Sequence, residues 1–296
     1  MRGLAERLTP VHGDSPPCFC SFSPMLSFRV LYLVIGLLLL FMAGAWLWRS
    51  MLRRTGALRV RHFAFPPEWL GYLETNVPLY RRLPVDLRER FQDRILNFVD
   101  GKRWKHCGGL EAVTDEMKVT IAGQACFLLL NREYGQNFSK VLYIMVYPSS
   151  SPGREGEENA LPPVEAWPSA SVLLAWDEVQ KTARDLRDER NEVIHQFARQ
   201  LDLEDGKADG RPILQDRFQH TAWARVISPE FLKTQTPGEG HSLFNRPMGS
   251  GDAAEVFAAA TELFFEGPEV LLKKNPGLYG LLSDFYKLHP ARWLKR

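Results

Sequence analysis

Residues 191 to 206 read NEVIHQFARQLDLEDG, and the periodicity of this stretch decides how the rest of the chain is read. Ile194, Phe197, Ala198 and Leu201 recur at helical spacing and predict an amphipathic helix with its apolar face inward, with Asn191 placed to cap it. Positions i and i+4 of a helix share a face. A metal-binding H-E-x-x-H pattern therefore sets two imidazoles side by side, with a general-base Glu next to the first. Here the five residues are His195, Gln196, Phe197, Ala198 and Arg199. Gln196 has the length of a Glu but cannot take a proton from water, and Arg199 is permanently cationic with no lone pair for a metal. Two of the three chemical roles are missing. Read alone, the stretch is an ordinary core helix that carries one His, since a lone His on a helix is common.

Working outward, Asp202 follows His195 by seven residues and Arg199 by three. It shares the motif's face, so it can orient His195 or pair with Arg199, and a solvated surface carboxylate is the third reading. Upstream, residues 84 to 100 repeat Leu87, Phe91, Ile95 and Phe98 at helical spacing, and PPEWLGYL opens an earlier helix on a proline. A turn and short strand are expected at the start of GGLEAV, with Thr114 or Asp115 capping the next helix. VLYIMVYP (141 to 148) and SVLLAWDEV (171 to 179) read as buried strands, and the run after Trp176, DEVQKTARDLRDER, as a charged helix that leads into the motif helix. Downstream, 213 to 235 is expected to be helical, 236 to 251 a Gly and Pro loop, and 253 to 266 a helix carrying Glu255 and Glu262 on one face. The last helix turns Leu278, Leu281, Leu282 and Phe285 inward.

Near the start, VLYLVIGLLLLFMAGAWLW (30 to 48) is an uncharged run of 19 residues, long enough as helix to cross a hydrocarbon core. It ends in tryptophans and is followed by Arg49, Arg53, Arg54, Arg59 and Arg61, whereas Arg2, Arg7 and Arg29 precede it. The more basic side belongs in the cytoplasm. The organisation expected is a leader at 1 to 24, a transmembrane anchor with basic flank at 25 to 54, and a peptidase-like domain at 55 to 296. Met1 and Met25 are both open as starts. With Met25 as the start, Cys18 and Cys20 are absent and Cys107 and Cys126 are too few for a disulfide framework; with Met1, Cys18 and Cys20 form a C-x-C with no His or Cys cluster nearby, a weak metal signal, and all read as reduced thiols. With 37 basic and 35 acidic residues, the net charge of +2 gives no electrostatic case for nucleic acid. No G-x-S-x-G elbow and no Gly-rich phosphate loop is present.

The segments NVPLYRRLPVDLRERFQDRILNFVDGKRW, GGLEAVTDEMKVTIAGQACFLLL, VLYIMVYP, SVLLAWDEV and DAAEVFAAATELFFEGPEVL, in this order around the motif helix, resemble the Mlc titration factor A family of zinc-dependent peptidases. The resemblance covers about residues 63 to 290. It implies an α+β fold, a mainly helical gluzincin-like domain with a small β-sheet. In the family the helix reads HEFAHQLD, with both His and a downstream Glu as zinc ligands and the motif's Glu as base. Carried over, His195 and Glu255 keep their ligand positions, Arg199 replaces the second His, and Gln196 replaces the base. A family tyrosine falls at Met248. His220 and His241 are the imidazoles that a rebuilt site would have to recruit, but each falls in a region read as surface helix or loop and neither has helical spacing to His195. The resemblance also implies a glucose-responsive transcriptional repressor as cytoplasmic partner.

Two function classes follow: a membrane-tethered pseudopeptidase that binds a protein or peptide, and an active zinc-dependent peptidase of aminopeptidase type. Gln196 and Arg199 favour the first, with zinc absent or weakly held. In that case Arg199 is expected to pair with Glu255 and with Asp202, taking over the structural part of zinc's role, with Glu262 on the same face.

Overall fold

Prolines set the first boundaries of the globular part, since a missing N–H is harmless at the first turn of a helix. The computed structural model describes residues 32–45, 64–132, 138–149, 168, 170–184, 190–214, 220–227 and 253–295. The chain divides into two units, residues 1–55 and 56–296. In the first, residues 32–45 form a helix (α1) whose large apolar side chains are exposed, Phe41 to 75%. The apolar run expected at 30 to 48 is thus helical over its described part, and its ends and the leader lie outside the described residues. Among the described residues no helix is long and apolar enough to cross a membrane.

In the second unit, Pro67–Asn76 (α2) and Pro78–Arg82 (α3) each begin on a proline. Val85–Gly101 (α4) buries Phe91, Ile95 and Phe98 at the expected spacing. Asp115–Ala125 (α5) is capped by Thr114, whose hydroxyl accepts the Met117 N–H at 3.3 Å. Gly123 of α5 lets α2 approach closely, since a Cβ there would lie 2.7 Å from Leu73 Cδ2. Cys126 follows, wholly buried, and burial raises its thiol to about 12.

Three strands, Arg103–His106 (β1), Tyr143–Tyr147 (β2) and Ser171–Ala175 (β3), form a parallel sheet in the order β1-β2-β3. Trp104 pairs with Ile144, and Ile144 with Val172. Ile144, Met145 and Val146 are all buried, as suits a central strand covered on both faces. The fold is therefore α+β, mainly helical with a small sheet. Two boundaries differ from those expected. The first strand lies ahead of the glycines, because Gly108 and Gly109 take left-handed φ of 62° and 80° and turn the chain after β1. The strand read over 171 to 179 stops at Ala175, and Trp176–Arg184 is the charged helix expected after Trp176 (α6), with Asp177 and Glu178 in its first turn, where the helix dipole favours acids.

Glu192–Asp202 (α7) starts on its Asn191 cap and runs into a 3₁₀ turn that ends at Gly206. Residues 211–214 are not helical; the helix expected from 213 is described only over 220–227 (α8). The chain closes with Ala253–Glu266 (α9), Pro268–Lys274 (α10), Pro276–Tyr286 (α11) and a 3₁₀ turn, Pro290–Lys295. Every residue from Val256 to Glu266 is buried, the mark of a central helix. α7 packs more extensively against α9 than any other pair of elements. On α7, Phe197 stacks into Phe98 and Phe138, with ring centroids 5.5 and 4.7 Å away.

Asp202 turns neither to His195 nor to Arg199. It is fully buried at the end of α7, where the chain reverses, and its Oδ2 accepts the Gly210 N–H at 3.0 Å. Gly210 has φ 71°, a Cβ there would meet the Ala253 carbonyl at 2.4 Å, and its own carbonyl accepts from Trp223 Nε1 at 2.7 Å. The carboxylate thus holds the loop that abuts the first turn of α9. A buried carboxylate takes the nearest N–H available, and here that donor is a backbone one.

Burial pushes the Asp202 carboxyl from 3.8 up to about 6, with the Gly210 hydrogen bond opposing it. The folded chain then binds this proton more readily than the unfolded chain does, so the stability it lends is complete below pH 3.8 and is lost as pH rises towards 6. Urea titrations of wild type and Asp202→Asn should show the wild type losing stability relative to the variant across that interval. Two curves that stay parallel would show that no such shift exists.

Candidate functional site

The site lies between α7 and the start of α9, and its parts come from two helical repeats. Glu255, Glu262 and Glu266 are spaced by seven and four residues, so one face of α9 carries three carboxylates. On α7, Asn191, His195 and Arg199 are each four residues apart and form the facing row. The apolar packing of the two helices brings these rows together.

Asn191 joins the lower ends. Its backbone N–H donates to Glu262 Oε1 at 3.1 Å, its amide Nδ2 donates to Glu266 Oε1 at 2.9 Å, and its own Oδ1 caps α7 by accepting the Ile194 N–H at 3.0 Å. Two buried carboxylates therefore face the N-terminus of α7, where the helix dipole stabilises negative charge. His195 stands one turn further. Its Nδ1 lies 3.3 Å from Glu262 Oε2 and its Nε2 3.1 Å from Glu255 Oε2. Burial alone would lower its pKa, but the hydrogen bonds and charges of Glu255 and Glu262 outweigh burial and raise it to about 9. A protonated ring donates from both nitrogens, which matches an acceptor at each.

Arg199, one turn beyond, places Nη1 3.0 Å from the same Glu255 Oε2. One carboxylate oxygen so receives an imidazole and a guanidinium. The pair is not deeply buried, with side chains 38% and 20% exposed for Arg199 and Glu255. The two cations offset the charge of Glu255 and Glu262. Gln196 faces elsewhere and donates from Nε2 to Glu192 Oε1 at 2.9 Å, so the carboxylate beside the general-base position comes from Glu192, one turn earlier.

Of the residues expected at the site, the structure brings together His195, Arg199, Glu255 and Glu262, and places Asp202 at the Gly210 loop. His220 is exposed on α8, while His241 and Met248 lie outside the described residues. Glu192 and Glu266 were missed. Glu266 was legible in its spacing from Glu262, whereas Glu192 looked like a helix-start acid.

A catalytic zinc takes three protein ligands and keeps a fourth position open. His195 Nε2 and Glu255 provide two donors, and the side chain at position 199 is a cation that already holds Glu255. Among the described residues, no group of three His, Cys, Asp or Glu side chains is arranged to hold a metal ion. The donor set present does not fit a zinc-peptidase centre.

Comparison with known proteins agrees with this layout of segments. An uncharacterized protein of Synechocystis sp., slr2042, is 31% identical over 238 residues, covering 76% of this chain and 85% of the relative. Mlc titration factor A of Pectobacterium atrosepticum is 32% identical over 136 residues, 44% of this chain and half of the relative. Mlc titration factor A of Yersinia pestis is 25% identical over 266 residues, covering 85% of this chain and 92% of the relative. The family model described as "Glucose-regulated metallo-peptidase M90" matches residues 48–287, and with four-fifths of its length so matched the chain belongs to that family.

Proposed function

We propose that this chain is a membrane-anchored pseudopeptidase, which keeps the family's peptidase scaffold and uses its cleft or surface to bind a protein or peptide partner. The observation that carries this reading is the Arg199 guanidinium on Glu255 Oε2, 3.0 Å away. It puts a fixed positive charge where the family places a metal ligand. Gln196 supports the same reading, because an amide in the general-base position cannot accept a proton from water. In this account α1 and its flanks form a single span in the inner membrane, the C-terminal domain is cytoplasmic, and zinc is absent or weakly bound. The partner class is a cytoplasmic protein, a transcriptional repressor on the strength of the family resemblance. The competing reading, an active zinc-dependent peptidase of aminopeptidase type, draws support from family membership and from the retained contact of His195 with Glu255 at 3.1 Å.

Metal content and turnover of the full chain separate the two readings. The wild type should purify with well under one zinc per chain and hydrolyse peptides slowly, since loss of a general base alone costs about 10² to 10⁴ in rate. Gln196→Glu combined with Arg199→His should raise the bound zinc. Stoichiometric zinc with chelator-sensitive turnover in the wild type would overturn the pseudopeptidase reading.

The charge pair has its own test. Arg199→Ala leaves Glu255 with one donor fewer and should destabilise the fold by roughly 1–2 kcal/mol, below the 3–5 of a fully buried pair broken from one side, because both partners are partly exposed. Gln196→Ala should cost less. Denaturant titrations in which Gln196→Ala proves the more damaging would show that Arg199 does not tie α7 to α9.

Topology is read with a reporter fused after Arg296. It should behave as cytoplasmic, with the protein released only by detergent. An external reporter would reverse the orientation, and release by salt alone would remove the anchor.

A further inference from the structure

We infer that a second cleft, formed by α3, the N-terminus of α4 and the turn after α11, is a binding site for a phosphate-bearing ligand. The inference is independent of the peptidase-like site. The cleft has a volume of about 590 Å³, which lies within the range of pockets that enclose small organic molecules.

Its charge is one-sided. Arg81, Arg82, Arg88, Lys287 and Arg292 line it together with His289, and Asp86 is the one carboxylate in the lining. Among the described residues, none of the five cations is paired with a carboxylate. A chain with a net charge of +2 over 296 residues has enough acids to pair them, so five cations gathered at one concavity without a carboxylate partner give it a positive potential that favours an anionic ligand.

Two of the arginines are already held in place. Arg81 Nε donates to the Glu74 carbonyl at 2.7 Å, while Arg88 donates from Nε to the Leu83 carbonyl at 3.2 Å and from Nη2 to the Arg81 carbonyl at 3.3 Å. Arg88 also lies over the Tyr80 ring, 5.4 Å from its centroid. Little side-chain entropy is left to lose on binding. Arginine's planar fork matches the oxygens of a phosphate, and four of the five cations are arginines.

The helix that opens on the cleft adds to this. α4 begins after Pro84, which has no side-chain cap to offer; Leu87 N–H donates to the Pro84 carbonyl at 3.0 Å, and the start of this 17-residue helix, with its positive dipole end, borders the cleft. Apart from Asn131, the rest of the lining is apolar: Val85 is 76% exposed, Leu288 is buried and Trp293 half-buried. Cations and a helix start for the phosphate, with apolar walls for an organic body, describe an organic phosphate better than free inorganic phosphate. The same headgroup chemistry is presented by a soluble phosphate monoester and by an anionic phospholipid.

Thermal unfolding of the full chain, held in phosphatidylcholine vesicles, distinguishes the two sources. Phenyl phosphate is the soluble probe, and phosphatidic acid mixed into the vesicles is the lipid probe. At least one of them should raise the Tm, and the Arg82→Ala and Arg292→Ala variants should weaken its apparent affinity by roughly tenfold each, the scale of one charge-assisted hydrogen bond. Lys181→Ala, on the exposed side of α6, should leave the affinity unchanged. Among the described residues neither the Arg82 nor the Arg292 side chain makes a hydrogen bond within the fold, and the Arg292 backbone N–H bond to the His289 carbonyl survives substitution, so unliganded Tm values close to wild type would show that both variants fold. A response to phenyl phosphate alone assigns a soluble ligand, and a response to phosphatidic acid alone assigns a headgroup. No response to either probe would overturn the inference, as would a response that Arg82→Ala, Arg292→Ala and Lys181→Ala all share.

Discussion

One oxygen of Glu255 accepts from two side chains of α7, His195 and Arg199, and the arrangement of the domain depends on that shared acceptor. Three carboxylates on one face of a central helix would oppose burial unless donors met them. α7 supplies those donors at every turn: the cap amide and backbone of Asn191, both nitrogens of His195 and the fork of Arg199. Hydrophobic packing between the helices is non-directional, whereas these polar contacts fix which turn of α7 faces which turn of α9. The contribution to specificity is therefore larger than the contribution to stability, as is usual for ion pairs that lose much of their hydration.

Much of this was legible in residues 191 to 206 and 253 to 266. The helical period placed Phe197 and Leu201 in the core, and the chemistry of a fixed cation beside a vacated acid pointed Arg199 at Glu255. What could not be read was how the chain reverses after α7. Asp202 shares the motif's face on a helical wheel, yet its partner is a backbone N–H eight residues on, supplied by a glycine whose φ of 71° no periodicity encodes. The first strand was misplaced for a similar reason, since it ends where Gly108 and Gly109 take left-handed φ. The helix after Trp176 was legible in its charges, whereas the last residue of the strand before it was not, because an apolar run does not announce where a sheet ends.

The near-neutral total charge conceals a division of labour within the second unit. Acids concentrate where α9 meets α7 and are matched internally. Cations concentrate between α3 and the turn after α11 and are not. A molecule can be balanced overall and still present one strongly signed concavity, because pairing is a local matter at separations beyond a Debye length.

α9 reaches its place only after some sixty further residues have followed His195 out of the synthetic machinery, as the separation of that residue from Glu255 requires. Until then α7 has the aromatic partners of its Phe197, namely Phe98 and Phe138, but lacks the helix it packs against most extensively and carries a row of donors without acceptors. A nascent chain cannot complete this core from its N-terminal end, so release of nearly the whole domain has to precede its cooperative closure. The interval between synthesis of α7 and arrival of α9 is consequently one in which the face of α7 that packs on α9 is open to water.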